Sequence, residues 1–82
     1  MPWTAPLSRP VRPRGRTPLR SLAEARAYLL TLPPAEAARP AWQTAAGLLI
    51  TAAEAGTMAA TEEATAQLER ALFIGYRLDM TG

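Results

Sequence analysis

Glu62, Glu63, Glu69 and Asp79 form the one acidic cluster of the 82-residue chain, and carboxylates so placed suggest either a divalent-cation site or a general acid/base pair. Helical spacing counts against both. Consecutive residues on a helix diverge by about 100°, so Glu62 and Glu63 face different ways, and only Glu62 and Glu69, seven apart, share a face. The chain has no histidine and no cysteine. An imidazole base, a thiolate nucleophile and the usual zinc ligand sets are therefore all missing. Neither catalysis nor a metal or other cofactor is expected. The glutamates read instead as a solvated surface whose charge suits the positive end of a helix dipole.

The second constellation is cationic. Arg12-Pro13-Arg14-Gly15-Arg16-Thr17-Pro18 resembles the AT-hook core, P-R-G-R-P, in which an extended Arg-Gly-Arg lies in a narrow A·T-rich minor groove. Glycine permits close approach there, and arginine is drawn by the groove's enhanced negative potential. In this chain Thr17 stands between Arg16 and the closing proline. The resemblance implies nucleic-acid binding through Arg12, Arg14 and Arg16. The plainer reading is an arm that is solvated or docked on protein.

These groups must be positioned by a small number of elements. Residues 1–20 hold five arginines, Arg9 among them, five prolines and no acid; residues 21–82 hold four arginines against seven acids, a net of −3. Proline at every fourth or fifth position removes backbone donors, so the first twenty residues are expected to be an extended arm. Ser21-Leu22-Ala23-Glu24 has the form of a capping box and starts a first helix that runs to Leu32, before Pro33-Pro34. A second helix lies between Pro40, suited to a first turn, and Gly56, suited to the residue past a C-terminus. Residues 35–39 are either a separate turn or an early start to it. Trp42, Ala45, Ala46, Leu49 and Ala53 give this helix its apolar stripe, and Leu48 and Ile50 widen it. Trp42 reads as a core anchor.

Thr61 ahead of Glu62-Glu63 predicts a third helix over 61–79, with Thr57 as an earlier alternative cap. Ala64, Leu68, Ala71, Leu72, Gly75 and Leu78 gather on one face of it. Phe73 and Tyr76 project from the other side. They are either a second packed face, covered by neighbouring helices or by Trp3 and the arm, or an exposed aromatic patch of the kind enriched at interfaces.

The expected fold class is all-α: a three-helix body (21–32, 40–55, 61–79) with an extended Arg/Pro arm over 1–20. Every cap and stripe begins at Ser21 or later, so the body is expected to fold without the arm. Seventeen alanines in residues 21–82 leave little side chain to bury in so small a domain, and a dimer or a larger host would supply the rest. The longest nearly apolar run, 45–53, is far short of the roughly 18–20 residues that span a bilayer. No membrane association is expected. The first twenty residues lack the apolar stretch of a signal peptide, so the expected location is cytoplasmic.

Leu32-Pro33, Trp42-Gln43, Ala46, Leu49, Ala52-Ala53-Glu54 and Ala71-Leu72 resemble a pattern in short uncharacterised bacterial proteins: L-P, W-Q-x-A, A-A-E, then A-L. Arg20-Ser21-Leu22-Ala23-Glu24-Ala25 is more faintly similar to the DUF982 family, where a basic strand-like segment precedes an S-x-x-E-A helix. That similarity implies that part of the arm forms a strand; neither resemblance implies an activity. The function expected is a noncatalytic accessory or regulatory module. It would bind another protein or a second copy through Trp3, Phe73 and Tyr76, with Arg9, Arg12, Arg14 and Arg16 on an acidic surface. Nucleic-acid binding through the arm is the alternative.

Overall fold

The computed structural model describes residues 2–75. A short 3-10 turn, Pro2–Thr4, precedes strands β1 (Pro6–Val11) and β2 (Leu19–Ser21), then helices α1 (Leu22–Leu30), α2 (Pro34–Ala37), α3 (Pro40–Ala55) and α4 (Met58–Ile74).

Local chemistry accounts for the helix boundaries. The Ser21 hydroxyl accepts from the Glu24 amide at 3.2 Å and caps α1. The Glu24 carboxylate reaches one residue further back than in a capping box and accepts from the Arg20 amide at 2.7 Å, which ties the end of β2 to the start of α1. Pro34 opens the single turn of α2, so residues 34–37 are a separate element, and Pro40 opens α3. Gly56 closes α3 with φ of +66°, the left-handed region that glycine adopts without the strain a Cβ brings. Thr57 then caps α4 by accepting from the Ala60 amide at 3.1 Å. The helix therefore starts at Met58 rather than at Thr61, whose hydroxyl turns back to donate to the Thr57 carbonyl. The expected end at Asp79 lies outside the described residues.

The expected all-α three-helix bundle with an extended arm is corrected: the described residues form four helices and a two-stranded antiparallel sheet. Proline did not keep the arm out of the sheet, for a geometric reason. Pro6 pairs opposite Ser21 and Val11 opposite Leu19, so five steps along β1 match two along β2, and the register is irregular between the pairs. Pro10 falls within that irregular stretch, where a missing N–H costs no regular ladder bond. The helix α4 also contributes to β1. The Ser8 amide donates to the Thr65 hydroxyl at 3.2 Å, and that hydroxyl donates to the Thr61 carbonyl at 2.8 Å.

Thr65 is fully buried, so its hydroxyl belongs to the packing of strand on helix. Thr65→Val keeps the shape and leaves the Ser8 amide without this acceptor. The variant should be about 1–2 kcal/mol less stable in urea denaturation, with Thr65→Ser close to wild type. A Val variant as stable as wild type would show that water replaces the hydroxyl.

One core joins the arm to the helices. Leu7, Val11 and Leu19 from the strands pack with Leu22, Ala25 and Tyr28 of α1, Trp42 and Leu49 of α3, and Leu68 and Leu72 of α4. The helices α3 and α4 form an antiparallel hairpin whose buried Ala45, Ala52, Ala53, Ala64 and Ala71 let the backbones approach closely. Gln67 of α4 reaches the Ala41 carbonyl of α3 at 3.1 Å. Gly75 lies where an added Cβ would come within 2.8 Å of a Glu36 carboxylate oxygen, so the Glu36 side chain rests against the end of α4.

Candidate functional site

Arg9 is docked inside the chain. From β1 it reaches across to α4, where Nη1 meets Glu62 at 3.0 Å and Nε donates to Glu69 at 3.1 Å. The two carboxylates stand seven residues apart on one helical face, the one pairing in the acidic cluster that spacing permits. Hydrogen bonds donated to Glu69 and Glu62 hold the guanidinium pKa above its ordinary value. The bond from Arg9, with a second from Ser8, holds the Glu62 carboxyl below its own.

A depressed carboxylate pKa adds stability that is present above the unfolded-state value, near 4.3, and is lost as pH falls through the folded-state value. The gap in melting temperature between wild type and Arg9→Gln should therefore be widest near neutrality and shrink only as pH falls below the ordinary glutamate value, near 4.3. A gap independent of pH would mean that Arg9 acts through its aliphatic stem alone. The pair is solvent-exposed, so the effect is small and salt-sensitive.

The Arg-Gly-Arg segment is bent, not extended. The Arg16 amide donates to the Pro13 carbonyl at 3.3 Å, Gly15 has φ of +70°, and Pro13 is buried beneath the turn. This is a reverse turn with glycine at its left-handed position. Arg16 places its guanidinium carbon 5.5 Å from the centre of the Tyr28 ring. The conformation that a minor groove accepts is thus absent. What the turn offers is a compact set of exposed arginines, Arg12, Arg14 and Arg16, with Arg20 on β2.

Trp3 serves a different surface. Arg26 of α1 covers its ring at 5.6 Å. Beside it, Leu29, Leu30, Ala46, Leu49 and Ile50 enclose a hollow of about 170 Å³ between α1 and α3. A second hollow of about 180 Å³ shares Leu29, Leu30 and Ala46 and continues to Leu32, Ala37, Trp42 and Gln43. Together they form an apolar groove with Leu30 (73% exposed) and Ile50 (49%) open to solvent.

Sequence reasoning passed over Leu30. It lies one step off the stripe of Leu22, Ala25, Leu29 and Leu32, and that offset is the available signal: a large apolar side chain left over once the core face is assigned. Phe73 is exposed as well, at 58%, so neither the neighbouring helices nor Trp3 buries it. Tyr76 lies outside the described residues. The structure thus brings Arg12, Arg14 and Arg16 together at one turn, places Trp3 in the groove between α1 and α3, and turns Arg9 onto α4.

A further hollow, about 630 Å³, runs between Pro6–Ser8 and residues 56–62. Its one ionisable side chain, Glu62, is held by Arg9 and by the Ser8 hydroxyl. Among the described residues no group of three or more Asp and Glu is placed to hold a metal ion, and no helix is long and apolar enough to cross a membrane. The chain matches no family model, no curated protein and no solved structure.

Proposed function

We propose that the protein is a noncatalytic, cytoplasmic accessory module that binds an amphipathic helix of a partner protein. The observation that supports this most directly is the groove between α1 and α3. Its two hollows lie in series, each has the size of one large apolar side chain, and they are edged by the exposed Leu30 and Ile50. A partner helix presents apolar anchors at intervals of three and four residues, a spacing suited to consecutive hollows. Trp3 supplies a rigid aromatic wall, the residue type most enriched at binding hot spots. A chain without cysteine makes no demand for an oxidising compartment, in keeping with the cytoplasmic placement.

The test compares the full chain with Leu30→Asp, Ile50→Asp as bait for proteins of its native cell, with sedimentation equilibrium alongside. Both substitutions lie on exposed positions, so the helical circular dichroism should persist. A protein retained by the wild type, lost on the double variant and confirmed by titration with the purified partner supports the reading. Equal retention by both baits overturns it. A wild type that sediments as a dimer, and a variant that sediments as a monomer, would replace the partner helix with a second copy of the chain.

A further inference from the structure

The arginine-rich turn is left unused by a helix-binding groove on another face. Val11 and Leu19 stand opposite each other and both point into the core. Alternation along a strand then directs Arg12 and Arg20 to the solvent side, where both are exposed. Arg12 directly follows β1 and Arg20 lies within β2, on the two limbs of the hairpin. Arg16, held on the Tyr28 ring, and Arg14 add to the same end. Four arginines fall between residues 12 and 20 with no acid among them. Glu24, the next acid along the chain, accepts from the Arg20 amide and lines the same hollow as Arg16, so one carboxylate stands against the four guanidinium groups. Like charges brought together on neighbouring strands destabilise the free hairpin, and an anion laid across them removes that cost.

We propose that this hairpin is a second binding surface, on which Arg12, Arg16 and Arg20 hold the phosphodiester backbone of a nucleic-acid duplex without reading its sequence. Three features favour this partner. The exposed residues of the turn, Arg12, Arg14, Gly15, Arg16 and Thr17, include no aliphatic or aromatic side chain; a protein interface needs an apolar centre, whereas a phosphate backbone needs only cations and N–H donors. A single strand would call for exposed aromatic platforms, and the nearby Tyr28 is buried with Arg16 against its ring. The bend at Gly15, fixed by the Arg16 to Pro13 hydrogen bond, keeps Arg-Gly-Arg from extending along a minor groove. A·T-rich and G·C-rich duplexes should therefore bind alike.

The experiment is fluorescence anisotropy of a labelled mixed-sequence DNA duplex titrated with the full chain over a range of salt. Three phosphate contacts give a slope of log K against log salt of about −3. Arg12→Ala with Arg20→Ala should reduce the slope by about two and weaken binding at least about tenfold at low salt, with circular dichroism unchanged. Arg12→Gln with Arg20→Gln removes the charge but keeps a polar side chain through Cδ, and should give the same loss should the alanine pair disturb folding. Arg12→Lys with Arg20→Lys should keep the slope.

Absence of binding at low salt, or a wild-type slope in both the alanine and glutamine variants, overturns the proposal. Tighter binding to polyglutamate than to duplex at matched salt overturns it in favour of an acidic protein. A tenfold preference for A·T-rich duplex overturns its sequence independence. Leu30→Ser, Ile50→Ser, which removes the apolar edges of the groove without adding charge, should leave the duplex titration unchanged, so the fate of this surface and that of the groove are read separately.

Discussion

Removal of residues 1–20 should abolish the cooperative melt and most of the helical circular dichroism. The segment carries Leu7, Val11 and Leu19, all within the core and all less than a tenth exposed. Burying each of three such side chains is worth about 1.5–3 kcal/mol, or roughly 5–9 kcal/mol together. A chain of this length has a total stability of only about 4–12 kcal/mol. Truncation would also uncover the faces of Leu22, Leu68 and Leu72 that the strands now cover, and remove the Arg20 amide that engages Glu24. This reverses the expectation that residues 21–82 fold alone. Leu7→Ala in the full chain should by itself cost about 2–4 kcal/mol. A truncated chain that still melts cooperatively would show that the helices close their own core and that the strands merely lie upon it.

The two-stranded sheet shows which parts of the fold are legible in the sequence and which are not. Caps and breakers act through neighbouring residues, and Ser21, Pro40 and Gly56 behave as their types require. The apolar stripe of α3 is likewise local, and Trp42, Ala45, Leu49 and Ala53 are buried as its periodicity predicts. The sheet is not local. In β1, Leu7 and Val11 lie four apart with Ser8, Arg9 and Pro10 between them, so period-two alternation is diluted by the irregular register and masked by proline. Its pairing with β2, and the Thr65 hydroxyl that meets Ser8 from 57 residues away, depend on tertiary placement.

Charge left the arm either solvated or docked on protein, and the structure docks it within the chain: Arg9 finds Glu62 and Glu69 on α4, and Arg16 finds Tyr28 on α1. Of the candidate site, the arginine cluster could be read directly from the chain, whereas the bend that shapes it required the structure. The groove was only half legible: Leu30 is left over from the core face of α1, whereas Ile50, read as widening the apolar stripe of α3, is 49% exposed.

Trp42→Ala should be the most damaging single substitution in the helices, lowering stability by about 3–5 kcal/mol and leaving little of the native state at physiological temperature. The indole is 2% exposed and its ring centre lies 6.1 Å from that of Tyr28, tilted by 46°, so its loss opens a cavity at the junction of α1 and α3. It also donates through Nε1 to Glu36 at 2.9 Å. That bond fastens the single turn of α2, because Glu36 also pairs with Arg39 and lies against Gly75. Trp42→Phe separates the two contributions. Phenylalanine fills most of the volume but cannot donate, and an N–H bond to a carboxylate is worth about 1.5–3 kcal/mol, so this variant should fall between alanine and wild type. Glu36→Gln retains an acceptor and should cost less than Trp42→Phe. Urea melts of the three variants decide the order: a Phe variant as unstable as the Ala variant would make the hydrogen bond, rather than ring volume, the dominant contribution of Trp42, and a Phe variant equal to wild type would make Glu36 dispensable to the core.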